Sequence, residues 1–311
     1  MKKLLLLIAL IFVSGCVGQT AKIDINNGVI IEKFTADPRD VFDFQPVTFS
    51  VDISDVGGTT AKDVSLRLLG VEGLWRPQTG TGTVSEVKKD LGTLKPPRIK
   101  DNIPGDSRFS DFTLTAPDLN EGDKTTFSVK ARAEFSYATT GSIIVKAISF
   151  NQQQILQRRG ETTLEPLKES NSEGPLKFRL VRGPAPLIID PDEGAVEREF
   201  RFEIVNVGGG WPISDNAVGK VGIGGTNKIT LLAPAGISLG KCDGITGGIS
   251  AFSTTLRSDG RAPVSCTVSI NKEIADKFKA TTEATLVFNI ELNYKYFVES
   301  SVDVSVQGTK R

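Results

Sequence analysis

The chain has 311 residues, with 37 basic and 37 acidic side chains, three cysteines and no histidine. A balanced charge leaves no basic excess with which to hold the phosphates of a nucleic acid. The lack of histidine excludes Ser-His-Asp triads and the common histidine-containing metal sites. Chemistry based on paired carboxylates or on a serine–lysine pair stays open, so a hydrolase is retained as an alternative.

The first residues of the chain have the layout of an export signal. Lys2 and Lys3 give a positive start, and about ten apolar residues follow from Leu4 to Val13. That run is too short to span a bilayer, which takes about 20 apolar residues. A buried strand or an uncleaved anchor helix is the alternative, but the polar stretch over residues 18–27 is typical of a tether.

The end of this run, residues 13–16 with the sequence VSGC, resembles the lipobox of lipoprotein signals. In that family the chain is cut just before the cysteine, and the thiol of the cysteine is acylated. The resemblance implies a signal peptide over residues 1–15 and a lipidated Cys16 followed by a tether, together residues 16–28. It also implies that the protein lies on the extracytoplasmic face of the cell membrane, held there by its lipid anchor.

Between the tether and residue 160, apolar and polar residues alternate over short runs separated by Gly, Pro, Asn and Asp. Alternation of this kind is typical of half-buried antiparallel strands and predicts a β-sandwich domain over residues 29–160. The predicted strands of this first half are Val29–Phe34, Val47–Ile53, Val64–Leu69, Ser110–Thr115, Thr126–Phe135 and Ile143–Ser149.

Residues 161–175 are polar and are predicted to form a linker that lets two domains reorient. The second domain is predicted over residues 176–311, with one short helix at Asn271–Ala280 that begins with an Asn cap. Many short strands with few helices predict an all-β fold of two tandem immunoglobulin-like antiparallel β-sandwiches. The predicted strands here are Phe178–Arg182, Glu199–Asn206, Lys228–Ala233, Val264–Ile270, Thr285–Tyr294 and Ser301–Gln307.

An internal repeat relates the two halves of the chain. FSVDISDVGG (residues 49–58) matches FRFEIVNVGG (residues 200–209), and TFSVKARAEFSY (residues 126–137) matches TLVFNIELNYKY (residues 285–296). An Asp-Pro pair precedes the first long strand of each half. Three matches in the same order indicate a duplication.

The segment from Asp52 to Gly70 resembles the CARDB-like, immunoglobulin-like modules of bacterial and archaeal surface proteins. It has a strand that ends in Asp, then Val-Gly-Gly, two small polar residues, Ala61 and a second strand that begins at Val64. The resemblance covers roughly Asp37 to Ser149, and the second half departs from it after its own Val-Gly-Gly. It implies non-catalytic modules that adhere, space or dock, with no particular ligand.

Two cysteines remain once Cys16 carries lipid, and an even number is compatible with an oxidising compartment. Cys242 precedes a glycine-rich loop and Cys266 begins a strand, so the two could face each other across the edge of a sandwich. A disulfide that closes a loop of about 25 residues would stabilise the fold by roughly 3 kcal/mol. Two buried free thiols are the alternative.

The Asp-Pro pairs are surrounded by further carboxylates, at residues 37–40 and 190–193. Calcium prefers oxygen-rich loops, but Asp-Pro is also a common turn signal. The turn is favoured, and no metal or other cofactor is predicted. The only tryptophans, Trp75 and Trp211, are predicted to plug the ends of the sandwiches rather than to anchor a partner.

These features favour a non-catalytic, lipid-anchored surface protein that is adhesive or acts as a scaffold. Its partner is predicted to be a protein or a polymer of the envelope, contacted by the loops over residues 208–248 of a membrane-distal second domain. A solute-binding lipoprotein of a transport system is one alternative, although that class normally has two α/β lobes around a cleft. A membrane-anchored hydrolase is the other.

Overall fold

A computed structural model describes residues 25–79, 82–161, 168–215, 217–222, 226–279 and 283–310. The predicted signal peptide and Cys16 lie outside these ranges. Strands make up most of the described chain and pair almost entirely in antiparallel fashion. The predicted all-β fold of packed antiparallel sheets is confirmed.

The described residues of the first half form eight strands and one α-helix, besides the short 3-10 helices Ile25–Asn27 and Ile99–Asp101. They are β1 (Val29–Asp37), β2 (Asp40–Phe42), β3 (Pro46–Asp55), β4 (Ala61–Leu69), β5 (Arg76–Pro77), β6 (Val87–Leu94), β7 (Ser107–Thr115), β8 (Lys124–Ser149) and helix α1 (Phe150–Arg158).

Within the described ranges, the second half forms twelve strands and one α-helix. They are β9 (Lys168–Asn171), β10 (Leu176–Arg182), β11 (Leu187–Ile189), β12 (Val196–Asn206), β13 (Trp211–Ser214), β14 (Ala217–Val218), β15 (Lys220–Val221), β16 (Lys228–Leu232), β17 (Ile237–Asp243), β18 (Thr254–Thr255), β19 (Arg261–Ile270), helix α2 (Lys272–Lys277) and β20 (Glu283–Gln307).

Three sheets build the body of the molecule. A small sheet in the order β1-β3-β7-β5 belongs to the first half, and a small sheet in the order β10-β12-β19-β17 belongs to the second. The third sheet has ten strands, contains the run β14-β13-β20-β8-β4-β6 and takes strands from both halves. We call it the shared sheet.

Two very long strands form the middle of the shared sheet. β8 has 26 residues and β20 has 25, and they pair antiparallel from Glu283 opposite Ile148 to Gln307 opposite Lys124. The last residues of β20 pair with β2 of the first half, and the last residues of β8 pair with β11 of the second. Each half of the chain therefore contributes the end of its long strand to the sandwich of the other half.

The side chains of the crossing segments complete the two cores. Val304 and Val306 of β20 are fully buried against the first half, and Ile143 and Val145 of β8 are buried against the second. The buried apolar residues of both halves form one continuous cluster. The two halves are thus joined by a shared sheet and a shared core, which differs from the expectation of modules that reorient about a linker.

The sequence divided β8 into two strands because residues 136–141, SYATTG, have the composition of a turn. In the structure, the Thr139 hydroxyl lies 2.7 Å from the hydroxyl of Tyr294 and is buried with it. Gly141 is needed for close packing, since a Cβ there would come within 3.1 Å of Phe178 and Ile290. Both residues therefore continue a buried strand.

The helices agree only in part with the prediction. The Asn271 side chain accepts a hydrogen bond from the backbone N–H of Ile274 at 2.9 Å and caps α2, as the sequence indicates. Helix α1 was not predicted; Ser149 caps it by accepting from the N–H of Gln152 at 3.1 Å.

β9, within the predicted linker, pairs with β8. Within the described ranges, no helix is long and apolar enough to cross a membrane.

Candidate functional site: the open face of the shared sheet

Both small sheets cover the same face of the shared sheet. Along β8 the odd-numbered side chains from Val129 to Ala147 are buried, and the even-numbered ones from Lys130 to Lys146 are exposed or half-buried. β20 shows the same one-sided burial except at Phe297, which lies on the other side and is 8% exposed beneath Arg132. We call the uncovered side the open face; it runs without a break across both halves.

The open face is long. The segment of β20 from Thr285 to Ser301 lies along it, and 16 steps of about 3.3 Å give a length of about 53 Å. Because this segment belongs to one continuous strand, the surface at one end is fixed relative to the surface at the other. An elongated partner would therefore meet one rigid platform.

The first-half part of the open face is charged, and its ions are paired. The Arg132 guanidinium lies 2.6 Å from the Glu299 carboxylate, 3.8 Å from that of Glu134 and 4.3 Å from the ring centre of Phe297. Lys130 also lies 3.6 Å from Glu299. Beside them is a depression of about 350 Å³ lined by polar side chains, namely Asp63, Ser65, Lys88, Asp90, Glu134, Ser136 and Lys295.

The second-half part of the open face carries small polar side chains across four adjacent strands. Ser142 on β8 is opposite Ser170 on β9 and Asn289 on β20, and Asn289 is opposite Thr230 on β16. These residues belong to a shallow depression of about 410 Å³. We call this group the hydroxyl zone: Thr140, Ser142, Ser170, Ser172, Thr230 and Asn289.

The hydroxyl zone is suited to hydrogen bonding rather than to ionic binding. Hydroxyl and amide side chains both donate and accept, so they can match a polymer that carries either kind of group. Lys228 and Glu291 border the zone and form an ion pair with each other at 3.5 Å. Because the side chains of the zone are short, an extended partner can approach the backbone of the sheet closely.

The repeated Val-Gly-Gly motif of the first half lies at the waist, where the two halves meet. The buried Asp55 carboxylate accepts hydrogen bonds from the N–H groups of Gly57 at 2.9 Å and Ala61 at 3.4 Å. The Tyr137 hydroxyl accepts from the N–H groups of Gly58 at 3.0 Å and Thr59 at 3.1 Å. The motif is thus a turn held to the long strand by a tyrosine.

The pKa values at this turn follow from burial. Desolvation raises the pKa of Asp55 to about 6, although the N–H groups of Gly57 and Ala61 oppose the shift and the charge of Asp106 adds to it. Burial also raises the pKa of Tyr137 above its usual value. Asp55 is therefore a buried acid in a structural turn, away from the open face.

The second half repeats the turn with Asn206 in place of the aspartate. The Asn206 Oδ1 accepts from the Tyr296 hydroxyl at 2.8 Å and from the N–H of Gly208 at 3.2 Å, while its Nδ2 donates to the Gly210 carbonyl at 2.7 Å. Between the two turns, Tyr137 and Tyr294 pack with ring centres 6.2 Å apart. The duplicated motif therefore builds the joint between the halves.

The N-terminal end of the described chain also lies at the waist. The Asn27 side chain accepts a hydrogen bond from the N–H of Gly209 in the second half at 2.8 Å, and the Gly28 carbonyl accepts one from Val56 in the first half at 2.7 Å. The described part of the chain thus begins at the contact between the two halves. A membrane-distal second domain stays a prediction, because residues 1–24 lie outside the described ranges.

Cys242 and Cys266 form a disulfide bond in the structure. They are directly opposite each other on β17 and β19, in the small sheet of the second half. The bond therefore joins two neighbouring strands of one sheet. Of the two alternatives that the sequence left open, the structure contains the bond. The third cysteine, Cys16, lies outside the described residues.

The remaining candidate residues have structural positions. The Asp190 carboxylate accepts from the N–H of Asp192 at 2.9 Å, which is the geometry of an Asx turn. Trp75 is fully buried, with ring centres 5.3 Å from Phe49 and 6.0 Å from Phe127, as expected for a plug. Among the described residues, no group of three Asp, Glu or Cys side chains is placed to hold a metal ion.

The open face was missed by the sequence reasoning, although a signal for it exists. Most polar positions of β8 and β20 keep one parity through both strands, with Ala138, Ile144, Val287 and Phe297 as apolar exceptions, and this parity places them on one surface. The predicted strands divide β8 and β20 into two strands each, so the prediction did not show that one surface continues along both.

Neither a protein-family model nor a curated protein matches the sequence. The structure has distant similarity to a mutant of Salmonella alpha-2-macroglobulin, with a TM-score of 0.20, 12% identity and coverage of 92% of this chain but only 17% of that protein. The D0-D1 domain of intimin gives a TM-score of 0.18, 10% identity and coverage of 78% and 85%.

The collagen-binding domain of the Erysipelothrix rhusiopathiae surface protein RspB gives a TM-score of 0.15, 12% identity and coverage of 92% and 99%. Scores at this level assign neither a family nor a function to the chain.

Proposed function

We propose that this protein is a non-catalytic, lipid-anchored cell-surface protein that binds an extended partner along the open face. The observation that carries the proposal is the continuity of this face across both halves, imposed by β8 and β20. A continuous surface about 50 Å long suits a protein strand or a chain-like envelope polymer better than a small solute. The resemblance of the segment from Asp52 to Gly70 to CARDB-like modules supports the same class of function.

The shared sheet disfavours the solute-binding alternative. Solute-binding proteins close two lobes around a ligand by bending at a hinge. Here the strands that would have to bend are β8 and β20, which are hydrogen-bonded to each other over 25 consecutive residue pairs and buried on one side. Closing a cleft at the waist would break those pairs.

Lipid attachment at Cys16 is the second part of the proposal. It rests on the VSGC sequence and places the protein on the extracytoplasmic face of the membrane. Wild-type protein should partition into detergent, while Cys16→Ser should leave an uncleaved precursor or a soluble form. Protein purified from membranes that begins at Met1 with a free Cys16 thiol would show that the lipoprotein interpretation is wrong.

Site-specific photo-crosslinking on intact cells tests the binding surface. A benzophenone amino acid is placed at Ser142 or Asn289 on the open face, and matched controls carry it at Thr113 or Arg201 on the solvent-facing sides of the two small sheets. We expect the same crosslinked species from both open-face positions and none from the controls. Equal crosslinking from the controls, or different species from the two open-face positions, would contradict the proposal.

A further inference from the structure

The connection between β6 and β7 presents two isoleucines to solvent. In this connection, Lys95–Asp106, which we call the waist loop, the side chain of Ile99 is 67% exposed and that of Ile103 is 41% exposed. The backbone of Arg98 exchanges two hydrogen bonds with that of Ile103, at 2.9 and 3.1 Å. The ordered backbone of the loop therefore holds the two apolar side chains outward.

The waist loop is also basic. Its residues 95–106 contain three basic and two acidic side chains, a net charge of +1, with Arg98 3.6 Å from Asp101, and Arg108 at the start of β7 adds one more positive charge. One of the acids, Asp106, accepts a hydrogen bond from the backbone N–H of Lys95 at 3.1 Å. Exposed isoleucines beside Arg98 and Lys100 form the combination that binds the interface of an anionic membrane.

The waist loop lies beside the place where the chain begins. Asp106 accepts a backbone hydrogen bond from Asp55, and Gly28 accepts one from Val56, the next residue. β1 and β7 flank β3 at this same end, so they are two strand spacings, or about 10 Å, apart. Eight residues lie between Cys16 and Ile25, so the nine Cα–Cα steps reach at most about 30 Å.

We propose that the waist loop docks on the anionic lipid surface of the membrane to which the chain is tethered. The position of the tether rests on the proposed lipidation of Cys16, whereas the affinity of the loop for lipid does not. A lipid anchor alone leaves the body free to turn. Docking at a second point beside the tether fixes how the rigid body, and with it the open face, is oriented.

Vesicle sedimentation tests the loop without the anchor. The chain from Val17 to Arg311, which keeps every described residue, is mixed with vesicles of phosphatidylcholine alone or with phosphatidylglycerol added. We expect binding to the anionic vesicles only, and at least a tenfold loss of partitioning for the double variant Ile99→Ser with Ile103→Ser. Replacing Arg98 and Lys100 by Gln should lower partitioning by about fivefold per residue.

Leu74→Ser is the matched control, because Leu74 is also exposed, at 51%, but lies in the turn after β4. The waist loop lies at the other end of β4, since it follows Leu94, which pairs with Ala61. Its partitioning should equal that of the wild type. Ile99→Trp gives a second readout, a blue shift of emission on anionic vesicles. No binding by the wild type, an equal loss in Leu74→Ser, or an unshifted Ile99→Trp would overturn the proposal. The mass of the N-terminal peptide tests lipidation of Cys16 independently.

Discussion

Replacing Asp55 by Asn should remove a pH-dependent weakness from the waist. The Asp55 side chain is 1% exposed, and its pKa is raised by burial from 3.8 to about 6. The repeat already places an amide at the equivalent position, Asn206, where it holds the same turn. The substitution therefore keeps the turn acceptor for Gly57 and removes the buried charge.

The magnitude follows from the difference in pKa. The folded pKa is higher than the unfolded one, so the folded state binds the proton more tightly, and the stability that Asp55 contributes is fully present below about pH 4 and is lost as the pH rises through about 6. A difference of this size corresponds to about 3 kcal/mol, of which roughly 2 kcal/mol falls between pH 4 and pH 7.

Urea unfolding at a series of pH values measures this effect. The free energy of unfolding of Asp55→Asn, relative to wild type, should rise by about 2 kcal/mol from pH 4 to pH 7, since the other titrating groups cancel in the difference. Asp52→Asn, three positions before Asp55 on the same strand and half-buried, is the control for removing a charge. A difference between Asp55→Asn and wild type that stays constant over this range would refute a buried Asp55 at the waist.

Three further predictions concern stability. Deleting residues 298–311 should unfold the first half, because it removes four buried valines, each worth about 1.5–3 kcal/mol; an unchanged proteolysis pattern of β1 and β3 would contradict this. Tyr137→Phe should cost about 1–3 kcal/mol in total, because it removes the acceptor of two partly buried N–H groups; urea unfolding measures the loss, and a loss below about 0.5 kcal/mol would argue against the tyrosine-held turn. Replacing both Cys242 and Cys266 by Ala should cost roughly 3 kcal/mol, and alkylation of the unreduced protein at both positions would show that the bond is not formed.

The β fold could be predicted from the sequence because alternating burial leaves a period of two in the residues. The alternation in TFSVKARAEFSY predicts the first half of β8, and the Asn271 cap predicts the start of α2. The repeat likewise predicts the two equivalent turns at Asp55 and Asn206. These features depend on neighbouring residues alone, so one sequence is enough to find them.

The sharing of strands between the halves could not be predicted in this way. It depends on Thr139 and Gly141, which have the composition of a turn but are buried by contacts with Tyr294, Ile290 and Phe178, all distant along the chain. The open face depends on the same contacts, because it becomes one surface only when β8 continues past Tyr137. If the halves were independent modules, removing residues 174–311 would isolate the first one. In the structure, this truncation also removes the part of β20 that pairs with β2 and β8 of the first half.

Native-state hydrogen exchange across the waist tests the central claim most directly. If both halves share one rigid sheet, the amides of β8 at residues 136–140 and of β20 at residues 291–295 will exchange only through global unfolding, with the slowest rates in the protein. Exchange there that is faster than in β3 and β12, by local opening, would show that the halves move as separate modules and that the open face is not one surface.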